Sequence, residues 1–106
     1  MAWVLVLLAG VLEIVWAFTM KRSDGFSRPV LTAVTVVAML ASVGLLSMSM
    51  KSLPLGTAYT VWTGIGAVGA FVVGVVVLGE PLTLARGLAA ILIVSGLLLM
   101  KFASPA

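Results

Sequence analysis

Residues 2–20 read AWVLVLLAGVLEIVWAFTM, an apolar run that contains a single charged residue, Glu13. Coiled as an α-helix at ~1.5 Å per residue, a run of this length is about right to cross a bilayer core of roughly 30 Å. Glu13 then lies well inside the hydrocarbon, where a carboxylate costs on the order of 2.5–3.5 kcal/mol on insertion scales. An acid held at that cost is expected to be a site for a proton or a cation. The plainer alternative is a Glu that stays protonated and only hydrogen-bonds a neighbouring helix. The run is not read as a signal peptide: no basic segment precedes it, it contains Glu13, and no small-residue cleavage site follows. It is expected to be a retained first helix.

The remaining sequence repeats the pattern. Of 106 residues, 63% are hydrophobic and 8% charged, against roughly 25% charged in a soluble domain. Polar punctuation divides the chain into apolar segments at about 3–20, 30–50, 57–78 and 83–100, with Pro29, Pro54 and Pro81 at the breaks. Prolines stand where a helix begins or has ended. Valine-rich stretches such as Phe71 to Leu78 also fit buried strands, but runs of ~20 residues exceed barrel strands of roughly 9–11 and lack their polar alternation. The expected fold class is therefore an all-α membrane protein, one domain of four transmembrane helices. Arg86, in the first turn of the last helix, is expected to snorkel to the interface.

Composition also excludes. Without cysteine or histidine there is no disulfide framework or thiolate metal site, and the usual neutral-pH proton carrier is missing. No metal or cofactor is expected, and no enzyme. The net charge of +3 comes from six scattered basic residues, which gives nucleic acid no patch to bind. Four spans put Lys21, Arg22, Arg28 and Arg86 on one side of the lipid bilayer, and Lys51 and Lys101 on the other. Orientation follows Lys/Arg excess, and a difference of 4 − 2 = 2 is small enough for insertion both ways round.

Three helices carry stripes. Gly10, Glu13, Trp16, Ala17 and Met20 share a face of the first; Thr35, Ser42 and Ser49 recur every seven residues on the second; Tyr59, Trp62, Thr63 and Gly66 share a face of the third. Their convergence on Glu13 is expected. Taken alone, the Ser42 hydroxyl is expected to bond back to its own helix, and Tyr59 and Trp62 also fit an interfacial aromatic belt. The fourth helix, with only Ser95, reads as scaffold.

Gly64-Ile65-Gly66-Ala67-Val68-Gly69 spells a dinucleotide fingerprint, but that motif needs a strand before it and a soluble βαβ unit around it. Inside a membrane helix, Gly64 and Gly66, with Ala70 and Gly74 beyond, serve close packing or a hinge instead. Ala89 and Gly96 on the last helix are expected to do the same in a dimer. Asp24, in a Ser-Asp-Gly turn, and Glu80 read as solvated loop residues.

The chain resembles the small multidrug resistance family along essentially its whole length. The likeness rests on Glu13 in mid-helix, Lys21 with Ser23-Asp24-Gly25-Phe26, and Pro54-Leu55-Gly56-Thr57-Ala58-Tyr59 running into Trp62. Glu13-Ile14-Val15-Trp16-Ala17 and Trp62-Thr63-Gly64-Ile65-Gly66-Ala67 resemble the guanidinium exporter branch, since polyaromatic drug exporters usually have a small residue in place of Trp16. The resemblance implies an antiparallel, dual-topology homodimer in the bacterial plasma (inner) membrane. It also implies one central site in which Glu13 of both subunits takes either protons or substrate, with Trp16, Ser42, Tyr59 and Trp62 at binding positions.

A guanidinium cation presents paired N–H donors that match a carboxylate. Tyr59 and Trp62 would add cation–π contact of about 0.5–2 kcal/mol, and Trp16 would donate its indole N–H to Glu13 while limiting the pocket to small ions. The resemblance thus implies a proton-coupled antiporter. Export of hydrophobic quaternary ammonium compounds is the first alternative, and a non-transporting subunit or heterodimer half the second. A chain too short for two inverted repeats could obtain the second from a copy inserted upside down.

Overall fold

Each boundary in the fold has a local cause. The computed structural model describes residues 1–103 and contains four helices: α1 (Ala2–Arg22), α2 (Pro29–Ser49), α3 (Leu55–Val76) and α4 (Leu84–Ala103). Each is long and apolar enough to cross a membrane. Helix α1 runs past Met20 to include Lys21 and Arg22, whose positive charges suit a helix C-terminus. Ser23 closes it, fully buried: its hydroxyl donates to the Met20 carbonyl at 2.7 Å and accepts from the Phe26 N–H at 3.1 Å. Asp24, Gly25 and Phe26 then follow one another at φ of 52°, 69° and 65°, a left-handed corner that turns the chain into α2.

Pro29 occupies the first turn of α2 and holds Arg28 extended at φ −99°, ψ 110°, as the residue before a proline prefers. Pro54 stands at the N-cap of α3, so that helix starts at Leu55, two residues before the start expected from hydropathy. It also ends two residues earlier, at Val76. The Glu80 N–H returns to the Gly74 carbonyl at 3.0 Å, with Gly79 at φ +70° making the reversal.

Packing places the helices side by side in the order α2, α1, α3, α4. Helix α1 touches both α2 and α3, α2 only brushes α3, and α4 packs chiefly on α3, reaching α1 where Lys101 lies 4.8 Å over the Trp3 ring. The result is a slab of 42 × 34 × 16 Å. In the described residues α4 has no buried position. The core is a cluster of Val6, Ala9, Leu46, Leu53, Ala58 and Val61. It lies at the end of the slab that carries Lys51 and Lys101.

Glycines set the α1–α3 spacing. A Cβ on Gly10 would stand 2.6 Å from Ile65 Cγ2; one on Gly69 would collide with Ile14, and one on Gly66 with the Glu13 carboxyl. Gly64 gives the same room to Leu97 of α4, 2.5 Å from such an atom. Inside lipid, where apolar burial drives little, close backbone approach of this kind is what holds helices together. Ile65 is β-branched and stiff, so Gly10→Ala is expected to cost about 1–3 kcal/mol by overpacking. Gly44, with nothing within 4 Å of its added Cβ, supplies the control. Gly44→Ala should be neutral or stabilising by up to about 1 kcal/mol of helix propensity. Reversible unfolding of both variants in detergent micelles measures the difference.

Candidate functional site

Glu13 sits midway along α1 and turns toward α3, where the missing side chain of Gly66 leaves room for its carboxyl. Its Oε1 is buried and has no hydrogen-bond partner among the described residues. The indole Nε1 of Trp16, one turn further along α1, is also buried without a partner. The expected Trp16–Glu13 hydrogen bond is therefore absent from the single chain. A buried acceptor and a buried donor, one turn apart, are both left open. Native structures rarely leave buried polar atoms without a protein, water or ion partner.

The second group joins three helices. Ser42 of α2 donates to the Ala9 carbonyl of α1 at 2.6 Å and accepts from Trp62 Nε1 of α3 at 3.0 Å. The expectation that this hydroxyl bonds back to its own helix is thus corrected. Ala9 and Gly10 are buried and have almost no side chain, so α2 comes near enough for Ser42 to reach a foreign carbonyl. Trp62 in turn packs against Tyr59, ring centroids 5.5 Å apart and tilted by 57°. One serine thereby fixes the orientation of an aromatic pair.

The other members of the α2 stripe go elsewhere. Thr35 pairs with Thr19 of α1 at 2.7 Å and donates to its own Leu31 carbonyl, while Ser49 bonds Leu46 within α2. All three hydroxyls are fully buried, so the heptad marks the α1–α2 contact, and only Ser42 belongs to the group around Trp62. Sequence reading missed the Ala9 carbonyl, which carries no side-chain signal, and Thr19, whose partner became visible only with the α1–α2 register.

Ala89 and Gly96 lie exposed on α4, with nothing within 4 Å of a Cβ added at Gly96. Glu80 lies in the loop as expected, with 41% of its side-chain surface exposed. Its carboxylate packs over Gly74, 2.5 Å from where a Cβ would be, and pairs with Arg86 at 3.7 Å. Arg86 is also partly exposed. It donates to the Pro81 carbonyl and lies 5.0 Å over the Phe71 ring, tying the α3–α4 connection to the start of α4.

The sequence is similar to known proteins along its length. The profile of the family described as Small Multidrug Resistance protein matches residues 1–94. A guanidinium exporter of Yersinia pseudotuberculosis is 55% identical over 104 residues, 98% of this chain and 100% of the relative. A guanidinium exporter of Salmonella typhimurium is 49% identical and one of Citrobacter freundii 47%, each over 98% of this chain and 99% of the relative. A match over nearly the whole length covers all four helices and both groups of site residues. The chain belongs to the small multidrug resistance family, a family of transporters and not of enzymes.

Proposed function

We propose that the chain exports guanidinium or small guanidinyl cations in exchange for protons, as an antiparallel homodimer in the bacterial inner membrane. The observation that carries the reading is the open acceptor on Glu13, buried beside the open donor of Trp16. The names of the relatives add the substrate class. A guanidinium ion is planar and offers paired N–H donors to a carboxylate, and the tilted Tyr59–Trp62 pair offers it ring faces. Trp62 is already oriented by Ser42, so little side-chain freedom is lost when a cation arrives. Proton and cation would use the same oxygens of Glu13, and competition for them would couple the two flows.

The slab supports a second copy. Folded domains bury a core between two layers, and this chain supplies one layer only 16 Å deep. A copy laid face to face would close the second layer over Glu13. Inverting that copy would provide the opposed repeat that alternating access needs.

Two tests follow. Glu13→Gln keeps shape and hydrogen bonding but cannot ionise, so guanidinium uptake driven by a proton gradient into proteoliposomes should fall to the level of protein-free vesicles. Uphill transport by that variant would remove Glu13 as the coupling group. Trp16→Gly opens volume beside the carboxyl, and bulky apolar cations gain about 25 cal/mol per Å² buried. Tetraphenylphosphonium binding should then strengthen while guanidinium transport drops. Equal ratios in wild type and variant would mean that Trp16 does not select the substrate.

A further inference from the structure

The two ends of the slab are built differently. The Lys51–Lys101 end holds the core cluster and, beside it, an apolar pocket of about 210 Å³ whose Lys101 lies over the Trp3 ring, whereas the other end carries none of the core cluster. There a cavity of about 310 Å³ runs between α1 and α3 over a floor of small residues that includes Ala17, Ala70 and Gly74. A second furrow of about 150 Å³ runs between α3 and α4 and shares Ala67, Phe71 and Arg86 with the first. Glu80 and Arg86 compensate one another on the rim. Lys21 also lines the cavity, and among the described residues its ammonium has no hydrogen-bond or ion-pair partner. It stands in the last turn of α1, at the level where a spanning helix leaves the hydrocarbon.

We infer that this end binds one anionic glycerophospholipid, with the phosphate at Lys21 and the acyl chains in the furrows on either side of Phe71. Charge chooses the occupant. A cation at the rim and an apolar floor beneath it match a molecule that is anionic at one end and hydrocarbon below, and basic pockets between membrane helices take lipid headgroups on this principle. An inverted second copy would bring Lys51, Lys101 and its own amino terminus to this depth, all cationic, and so offers Lys21 no counter-charge. Free phosphate answers the charge but leaves both furrows unused. The binding reaches toward the site as well, since Ala70 in the cavity floor lies one helical turn from Gly66.

Native mass spectrometry of the full chain in detergent tests the site, with dioleoyl phosphatidylglycerol, dioleoyl phosphatidylcholine and inorganic phosphate as probes. Phosphatidylglycerol should be retained in preference to phosphatidylcholine. Lys21→Gln, at an exposed position, should weaken that retention about fivefold, the ratio equivalent to roughly 1 kcal/mol per basic residue near a lipid surface. Lys51→Gln, at the other end, should leave it unchanged. Ala67→Phe places a ring where the two furrows meet, and should weaken phosphatidylglycerol with every charge intact. Equal retention of the two lipids, equal loss in the two lysine variants, or no effect of Ala67→Phe would overturn the proposal. Displacement of the lipid by millimolar phosphate would also defeat it, leaving an anion site without a lipid.

Discussion

The contact between α1 and α3 governs the rest of the structure. Within lipid, burying apolar side chains gives helices little reason to associate, and close approach of backbones supplies the attraction. Here the approach is made by interlocking: Ile65 enters the gap at Gly10, Ile14 the gap at Gly69, and between them the Glu13 carboxyl lies on Gly66. The same seam therefore supplies packing and chemistry. It sets an ionisable group against bare backbone, out of reach of the hydroxyls on α2. Glycine costs about 1 kcal/mol relative to alanine in a helix interior, and this packing offsets that cost.

The second constraint is the count of layers. With α1 in contact with both α2 and α3, and α4 packed chiefly on α3, the chain spreads sideways and does not close around a centre. Much of its apolar surface then faces outward, including Val37, Leu40, Ile91 and Leu92. Lipid accepts such surface without penalty, so the fold is consistent as a membrane slab. Among the described residues, the buried polar side-chain atoms without a partner are those at Glu13 and Trp16, and in the proposed dimer they are the atoms that a second layer would cover.

Much of this was legible in the chain. Four spans, the proline boundaries and the isolation of Glu13 follow from hydropathy and from the cost of a carboxylate in hydrocarbon. Gly64 and Gly66 could be read as packing positions because a dinucleotide fingerprint has no meaning inside a membrane helix. What the sequence hid depends on register between helices. Ser42 looked like a residue that bonds its own helix, as Ser49 does, and only the close pass of α1 at Ala9 redirects it. Thr35, at the same heptad position, meets Thr19 for an equally local reason. The contacts of Glu80 were hidden because its partners, Gly74 and Arg86, come from two helices whose relative placement no single-helix periodicity encodes.

The difference between the two ends of the slab bears on how such a chain would work. At one end Val6, Leu46, Leu53 and Val61 are packed into a core, which joins α1, α2 and α3 firmly. At the other, α1 and α3 part around a cavity, and the α3–α4 connection is held by the grip of Arg86 on Glu80, Pro81 and Phe71. In the proposed transport cycle, this helix pair would open by pivoting about the end that carries the core cluster, with Gly66 and Glu13 along the moving seam. In the proposed antiparallel pair, the fixed end of each copy lies beside the loose end of its partner. Each membrane face would then have one pivot and one gate, and opening on one side would require no feature that the other side lacks. Alternation between equivalent states would thus follow from one asymmetric slab used twice.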